Sequence, residues 1–379
     1  MTQVSPVGQA TSLFQERFGS GPAVVVSAPG RVNLLGDHSD DNGGPVLPFA
    51  IERRTAVAAE SSQLWAVVSA VDGTVRVIEP DLSPDGSWTA YVSGVIRVLG
   101  RRALAPKGAR LAIASTIPIG AGLGSSGALT VALTRALLAV AGRRLPVRDV
   151  AELAYRAERD EVGVRCGRAG QTVAALARPG YALLFETATG ELTYLPFGAR
   201  AWMLETGVVH QLSDGGANLR RQECDAALGM VREHGVAVEQ LAAVPGERLP
   251  ALLRAIPAPW SLRLKHVVTE VGRTHEAARA LAGRDLPRVG RLLVEGHESL
   301  RRDFQSSCDE ADHLVASVIR HGAWGARLTG AGWGGAVLAL VPPEVEARCL
   351  AEVQEEFRKR FGRTPTIWAT RAALGVRAG

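Results

Sequence analysis

The spacing of apolar residues predicts alternating helices and strands in the first half of the chain. Apolar side chains recur at helical spacing in residues 1–20, and Gly19 is expected to end that helix. Short apolar runs separated by turn residues indicate strands. The predicted strands are 23–28, 55–59, 65–71, 74–78 and 111–117, and the predicted helices are 88–99, 128–141 and 147–161.

The second half of the chain is richer in helical patterns. Strands are predicted at 181–186, 201–211 and 366–372, helices at 219–234, 262–282, 286–303, 309–321 and 343–361, and a strand–glycine turn–strand unit at 327–340. At 379 residues the chain is long enough for two cores. The shift near residue 200 predicts two domains, 1–198 and 199–379, of α+β class.

Charge, cysteine spacing and the length of the apolar runs exclude several classes of function. The net charge of +5 comes almost wholly from arginines, which are scattered among acids without a basic run or aromatic platform, so nucleic acid is not an expected partner. The four cysteines lie far apart, and we see neither a signal peptide pattern nor an apolar run that could span a bilayer. We therefore expect a soluble, cytoplasmic protein without a membrane partner, and no protein partner is implied.

A glycine-rich turn at residues 118–128 is the strongest chemical signal. It lies between a predicted strand and a predicted helix, where free backbone N–H groups and the helix dipole favour an anion. The alternative is an ordinary strand-to-helix turn with a serine cap. Three glycines followed directly by two serines favour a nucleotide phosphate site. Its candidate ATP-binding residues are Pro118, Gly120, Gly122, Leu123, Gly124, Ser125 and Ser126.

Residues 31–44, here called the signature segment, place a cation, an imidazole and three carboxylates between glycines. A solvated surface loop is the default interpretation of such a stretch. The density of hydrogen-bonding side chains also suits a polyhydroxylated ligand, and we favour that hypothesis.

A second glycine turn, at residues 330–335, contains the letters of the G-x-G-x-x-G dinucleotide motif. A strand pattern follows it where that motif requires a helix, so a dinucleotide site is not expected. The turn is either a glycine hairpin or a loop that lines a ligand.

These three motifs, in this order, resemble the GHMP small-molecule kinases and, within them, the galactokinases. Arg31 to Gly44 looks like the galactokinase signature, and the resemblance runs from about residue 27 to the C-terminus. Further blocks are similar around Glu158 and Gln171, around His210, and at residues 296–300.

The resemblance implies a two-domain fold with the active site between the domains. ATP would bind the glycine turn, and Ser126 and Glu158 would hold Mg²⁺. Arg31 would act on the anomeric hydroxyl of a sugar. The other sugar hydroxyls would be bound by Asp37, His38 and Asp40.

Five positions depart from the galactokinase pattern. Gly170 occupies the position of the aspartate that is the family's general base. Asp37 replaces a glutamate, while Asp41 and Ala217 replace tyrosines. Arg168 stands at a usually apolar position. Most of these changes remove side-chain volume near the sugar, and Arg168 adds a positive charge.

Two hypotheses accommodate these departures. The first is a working sugar 1-kinase whose substrate is bulkier than galactose, and anionic if Arg168 meets a carboxylate or phosphate. Asp41 would then be a candidate to deprotonate the hydroxyl, with Gly170 and Ala217 lining the enlarged substrate site. The second is a catalytically silent relative that binds sugar and nucleotide as a sensor or regulator.

Overall fold

The computed structural model of the chain describes residues 5–79, 86–164, 166–208 and 216–378. The helices are α1 (Pro6–Phe18), α2 (Thr89–Gly100), α3 (Ser125–Val140), α4 (Val147–Arg156), α5 (Ala169–Leu176), α6 (Gly216–Glu233), α7 (Leu249–Ala255), α8 (Trp260–Ala282), α9 (Leu286–Ser299), α10 (Asp309–Arg320) and α11 (Glu346–Phe361). The strands are β1 (Val24–Leu35), β2 (Pro45–Ser61), β3 (Ala66–Ser69), β4 (Val75–Val77), β5 (Ala109–Ser115), β6 (Tyr181–Glu186), β7 (Glu191–Pro196), β8 (Ala201–Glu205), β9 (Gly325–Thr329), β10 (Ala336–Leu340), β11 (Ile367–Thr370) and β12 (Arg377–Ala378).

The first sheet has the strand order β12-β1-β2-β5-β3-β4, with β6 joined to β2 and β7 joined to β6. Its pairs are antiparallel except for β3 and β5. Side chains alternate between its two faces, as strand geometry requires. On β2, Ala56 and Ala58 pack against Phe14 of α1, whereas Val57 and Ala59 join a larger core that includes Val131 of α3.

The second sheet is antiparallel, with the order β11-β8-β10-β9. Leu204, Leu328 and Val337 face a core formed with the helices of the second half of the chain. Met203 and Leu338 on its other face belong to the same large core as α3. The hydrophobic core is therefore continuous across residue 200, and β12 returns the end of the chain to the first sheet beside β1. The predicted boundary at 198/199 stays a prediction.

The predicted α+β class is confirmed, and the main differences concern irregular segments. β1 continues to Leu35, because Val32 and Leu34 are buried although polar residues alternate with them. The sequence patterns did not predict β7, α7 or β12. Residues 209–211 of the predicted strand 201–211 lie outside the described residues. In the described part of the chain no helix is both long and apolar enough to cross a membrane.

Two regular helices end in π-helical turns. Residues Ala157–Val162 continue α4, and residues Leu300–Phe304 continue α9. Turns of this kind are rare and occur frequently at functional sites, because the extra residue redirects the side chains that follow. Both turns carry residues of the site described below.

The close contact between α9 and β9 depends on two glycines. A Cβ on Gly325 would lie 1.8 Å from the Gly290 carbonyl oxygen, so a side chain there forces the helix away from the strand. We predict that Gly325→Ala lowers the free energy of unfolding by about 3 kcal/mol through overpacking.

The matched control is Gly272→Ala on α8, where an added Cβ meets nothing within 4 Å. It should raise the free energy of unfolding by about 0.5–1 kcal/mol, because alanine is the better helix former. Urea unfolding of both variants tests this contrast, and equal stabilities would contradict the packing argument.

Candidate active site

The glycine turn at residues 118–128 has the backbone of an anion site. Gly120, Gly122 and Gly124 have φ angles of 74°, 72° and 71°, in the left-handed region that glycine tolerates. Helix α3 begins directly afterwards at Ser125, so its first backbone N–H groups have no partners within the helix. Positive backbone dipoles therefore converge at this point, as phosphate binding requires.

The second glycine turn packs directly on the first. It connects the antiparallel strands β9 and β10 and so is a hairpin turn, and its role in lining a ligand stays a prediction. A Cβ on Gly122 would lie 3.1 Å from the Gly330 Cα, and a Cβ on Gly335 would lie 2.9 Å from the Ala121 carbonyl oxygen. Side chains at these positions would separate the two turns. Close backbone packing against the second turn therefore holds the first turn in position.

Arg31 lies against the glycine turn from the β1 side. Its backbone N–H donates to the Leu123 carbonyl at 2.9 Å, and its Nη1 donates to the Gly122 carbonyl at 3.0 Å. The Arg31 Nε is buried and has no hydrogen-bond partner within the described residues. A guanidinium with a spare donor is thereby fixed beside the glycine turn at residues 118–128.

Glu158 is buried on the first π turn, opposite the start of α3. Its carboxylate accepts hydrogen bonds from Gln171 Nε2 at 2.6 Å and from the Ser126 side chain. Burial raises the pKa of Glu158, and these hydrogen bonds together with the Arg31 charge oppose the increase. The carboxylate forms no ion pair in the described part of the chain.

The Ser126–Glu158 pair fits the magnesium ion that the family resemblance implies. A hydroxyl and a carboxylate are hard oxygen donors, which Mg²⁺ prefers. Among the described residues no group of three or more His, Cys, Asp or Glu side chains could enclose a metal. A magnesium ion at this pair would therefore take its remaining ligands from phosphate and water, as is usual for Mg²⁺ in phosphoryl-transfer sites.

Asp37 is held in a buried charge network. Its Oδ1 accepts from Asn33 Nδ2 at 2.6 Å and from the Gly330 N–H at 3.3 Å, and its Oδ2 lies 3.1 Å from Arg327 Nη2. Arg327 also donates to Glu270 Oε1 at 2.7 Å. Burial raises the pKa of Asp37 despite the Arg327 charge. Both carboxylate oxygens of Asp37 lie next to protein groups, so its predicted sugar contact stays a prediction.

His38 projects from a left-handed backbone conformation with φ of 64°. Its ring stacks on Phe304 with centroids 4.2 Å apart, and its buried Nε2 has no partner within the described residues. His266 lies behind it and contacts the Asp37 carbonyl and Ser299. Burial lowers the pKa of His38 to about 4 and that of His266 to about 3, so both are neutral at pH 7.

Asp40 and Asp41 place two consecutive carboxylates shortly after His38. The Asp41 N–H donates to Asp40 Oδ1 at 3.0 Å, and Asp41 Oδ1 lies 3.4 Å from Arg221 Nη1. Burial and the neighbouring Asp41 charge raise the pKa of Asp40 to about 7. The two carboxylates therefore have different surroundings, and the role of Asp41 as a base stays a prediction.

A polar cleft of about 770 Å³ is lined by one of the remaining predicted residues, Arg168, but not by Gly170 or Ala217. Its lining includes Asp40, Asp41, Tyr155, Gly167, Arg168 and Arg221. Gly170 is the second residue of α5, and a Cβ there would meet nothing within 4 Å. Ala217 lies in the first turn of α6, one turn before Arg221.

The Arg168 guanidinium is turned toward α4. It lies over the Tyr155 ring at 5.2 Å and has its Nη1 3.9 Å from Glu152 Oε2. Arg168 therefore lines the cleft with its charge shared with a carboxylate, and it is not directed at the signature segment. His210, which belongs to one of the similar blocks, lies outside the described residues.

Sequence patterns did not identify the residues that anchor the signature segment from the second half of the chain. Arg327, Glu270 and His266 are all buried and contact residues 34–37. A usable signal was present, because Arg327 begins the predicted strand–glycine turn–strand unit and lies between the apolar residues Ala326 and Leu328. A charge in a buried strand requires a partner, but the sequence does not show which one.

Comparison with known proteins gives three matches along the chain. The galactokinase galactose-binding signature matches residues 12–61, the GHMP kinase N-terminal domain matches residues 90–178, and the GHMP kinase C-terminal domain matches residues 277–359. The galactokinase of a Roseiflexus species is 36% identical over 97% of this chain and 96% of its own. The Streptomyces coelicolor galactokinase is 35% identical over 98% of each chain.

Solved structures agree with these matches. The crystal structure of Lactococcus lactis galactokinase complexed with galactose has a TM-score of 0.93 and 26% identity, covering 98% of this chain and all of that one. Methanococcus jannaschii mevalonate kinase has a TM-score of 0.64 at 18% identity, covering 92% of this chain and 98% of its own. Because the identity to mevalonate kinase is low, this likeness shows that the fold is shared and nothing more.

The open space at Gly170 predicts that an aspartate fits there. We expect Gly170→Asp to change the free energy of unfolding by less than about 1 kcal/mol, because the favourable helix N-terminus offsets nearby carboxylates. The control is Gly127→Asp, where a Cβ would lie 3.0 Å from the Gly170 carbonyl carbon. That variant should lose about 3 kcal/mol or more. Urea unfolding measures both, and similar losses would contradict the described geometry.

The low pKa of His266 predicts a pH dependence of stability. The unfolded chain binds a proton at this residue below about pH 6.5, whereas the folded chain does so only below about pH 3. The histidine therefore makes stability fall as the pH decreases through that window.

His266→Gln should make the decline between pH 6 and pH 4.5 shallower by up to about 1.4 kcal/mol per pH unit. Denaturant titrations at a series of pH values measure the two slopes. Identical slopes would show that the buried imidazole does not contribute.

Proposed function

The chain belongs to the galactokinase family of the GHMP kinases and is a galactokinase-like, ATP-dependent sugar kinase; we propose that it phosphorylates the anomeric hydroxyl of a sugar bulkier than galactose. Family membership supports the reaction class. The enlarged acceptor is supported by the open space at Gly170 and by the cleft of about 770 Å³ beside Asp40. That volume is typical of sites for ligands of drug size.

The main observation that supports the proposed chemistry is the arrangement of charged and polar groups at the start of α3. A backbone anion site, the Arg31 guanidinium and the Ser126–Glu158 pair lie together there. Phosphoryl transfer depends mainly on positioning and on neutralising the charge of the phosphates. These needs are met without an aspartate at position 170, which supports turnover in its absence.

Each group has a role in the proposed reaction. The glycine turn holds the phosphates of ATP, and Arg31 stabilises charge that develops between the donor and the acceptor oxygen. Mg²⁺ held by Ser126 and Glu158 would neutralise phosphate charge when bound. His38 and Asp40 orient the sugar through hydrogen bonds. Their fixed positions reduce the entropy that a productive encounter costs.

An anionic acceptor is the second possibility for substrate chemistry, because arginines line the cleft. Of the three arginines that line the cleft (Arg159, Arg168 and Arg221), two already have a carboxylate nearby, Glu152 for Arg168 and Asp41 for Arg221. An anionic sugar would have to compete with these partners. Neutral and anionic sugars therefore both belong in the test.

The test is ³¹P NMR of the protein with Mg-ATP and a panel of sugars. The panel holds galactose, uronic acids, amino sugars, and hexoses to octoses with and without a terminal phosphate. We expect an anomeric phosphate signal to grow together with ADP for a member larger than galactose.

The matched variants are Glu158→Gln and Glu355→Gln, the latter on the exposed surface of α11. Glu158→Gln should lower kcat about 100-fold or more, because metal charge stabilisation contributes several kcal/mol. Glu355→Gln should behave as the wild type. A folded protein that binds ATP and sugar without forming any product would contradict the kinase and favour a sensor.

A further inference from the structure

We infer that Gln171 is a positioning residue of the proposed metal site: its side-chain amide holds the Glu158 carboxylate in one orientation at the Ser126–Glu158 pair. The inference rests on the proposed function for the presence of the metal, and it concerns a residue to which that proposal gives no task. Three observations support it: the hydrogen bond between the two side chains, the lack of a cation at Glu158, and the packing that fixes Gln171.

The Gln171 amide and the Glu158 carboxylate form a short hydrogen bond in the interior. Gln171 Nε2 donates to Glu158 Oε2 at 2.6 Å, and the two residues are only 2% and 3% exposed. A hydrogen bond to a carboxylate is stronger than one between neutral groups, and it gains strength away from water. Rotation of the carboxylate would break this bond, so the direction of Glu158 Oε1 is restricted as well.

Glu158 has no cation that could hold it instead. None of the ion pairs within the described residues involves this carboxylate. The Ser126 side chain also bonds to it, but the Ser126 oxygen is itself a metal ligand in the proposed site. In the described part of the chain, Gln171 is therefore the one side chain that bonds to the Glu158 carboxylate without being assigned to the metal.

The Gln171 amide has few other partners. Its Oε1 is buried and has no hydrogen-bond partner among the residues that the structure describes. The Cys166 thiol interacts with the side chain, but burial raises the pKa of that thiol, so it stays protonated and is a weak acceptor. An amide that is buried with unused hydrogen-bonding capacity costs free energy. The Glu158 carboxylate is thus the strongest partner of Gln171.

Three segments fix the amide, the carboxylate and the hydroxyl relative to one another. Gln171 lies in the first turn of α5, Glu158 in the first π turn and Ser126 at the start of α3. A Cβ on Gly127, the residue after Ser126, would lie 3.0 Å from the Gly170 carbonyl carbon and 3.3 Å from the Gln171 backbone nitrogen. The backbones of α3 and α5 therefore touch beside the pair, and the amide extends from a fixed position.

A hydrogen bond of this kind acts on metal binding through the orientation of the ligand. A carboxylate that can rotate has to be ordered when the metal binds, whereas a carboxylate that is already held does not pay that entropy. Replacement of residues that hold metal ligands typically changes metal affinity by about 10- to 100-fold. We therefore expect Gln171 to affect binding of the metal, and not binding of the sugar.

The test replaces the amide and measures metal binding directly. In Gln171→Met the side chain keeps a similar length but cannot donate. The control is Val173→Ala on the same helix, because Val173 belongs to a separate apolar cluster with Leu183. Mn²⁺ is the probe, since the electron paramagnetic resonance signal of free Mn²⁺ is lost on binding. Each protein is titrated with Mn²⁺ in the presence of ADP, and binding of metal-free ADP is measured by calorimetry.

The two variants should differ in metal affinity. Gln171→Met should raise the Mn²⁺ dissociation constant of the complex with ADP about 10-fold or more, while the affinity for metal-free ADP stays unchanged. Val173→Ala should lower the urea midpoint of unfolding through lost packing and leave both constants unchanged. With the sugar that responds in the ³¹P NMR panel, Gln171→Met should need more Mg²⁺ for half-maximal rate, at an unchanged KM for the sugar.

A double-mutant cycle separates positioning from a general structural role. In a Glu158→Gln background the amide has no carboxylate to hold, so the further change Gln171→Met should not raise the Mn²⁺ dissociation constant again. Equal effects of Gln171→Met in both backgrounds would show that the amide acts independently of Glu158, and would overturn the inference.

Other results would overturn it as well. An unchanged Mn²⁺ dissociation constant in Gln171→Met, or an equal loss of affinity for metal-free ADP, would mean that the amide does not position a metal ligand. A rise in KM for the sugar with intact Mn²⁺ binding would assign the amide to the sugar.

Failure of the proposed function has a different signature. A wild type that binds Mn²⁺ with ADP but forms no sugar phosphate would contradict the kinase, while the effect of Gln171→Met on Mn²⁺ binding would still decide the inference. A wild type that adds nothing to the Mn²⁺ affinity of ADP itself would contradict both.

Discussion

The buried Arg327 guanidinium is the interaction on which the geometry of the site depends. It is fully enclosed and lies between Asp37 of the signature segment and Glu270 of α8. A buried cation without partners would cost several kcal/mol, so the fold is stable only when both carboxylates are in place. Strand β9, helix α8 and the signature segment must therefore assemble together. The pairing joins residues almost 300 positions apart in the chain.

The interlocked glycine turns add a second constraint at the same junction. Their backbones approach so closely that Gly122 and Gly330 leave no room for a Cβ. The glycine turn at residues 118–128 is consequently fixed by the hairpin turn at residues 330–335. Arg31, which donates to the Gly122 and Leu123 carbonyls, is thereby held in place as well. A site built in this way is preorganised before substrates arrive, which is the main requirement for phosphoryl transfer.

Much of this could be predicted from the sequence, for identifiable reasons. Amphipathic patterns located most helices and strands, and β6 was predicted with its observed bounds at 181–186. The glycine turn could be recognised as a candidate anion site because its glycines and serines lie between a predicted strand and a predicted helix. β1 was predicted too short, because a polar residue such as Asn33 continues a strand when its backbone bonds to a distant residue, here Thr329.

The parts that could not be predicted depend on long-range contacts. The sequence gives no indication that Arg327 pairs with Asp37, or that Arg221 lies beside Asp41. These contacts change the chemistry of the candidate residues, because they engage the carboxylates of Asp37 and Asp41. The direction of Arg168 toward Glu152 is also a tertiary effect. Local patterns identify residue types, whereas tertiary contacts determine which side chains remain available to a ligand.

The most direct measurement of the central claim is a single-turnover experiment with enzyme in excess over [γ-³²P]ATP and the sugar. Wild type and Gly170→Asp are quenched side by side on the millisecond-to-second scale. We predict that the wild type transfers its label to the sugar in one exponential phase, without an aspartate at position 170. Label that stays on ATP in the wild type but moves to the sugar in Gly170→Asp would contradict it, and would mean that the missing aspartate silences the site.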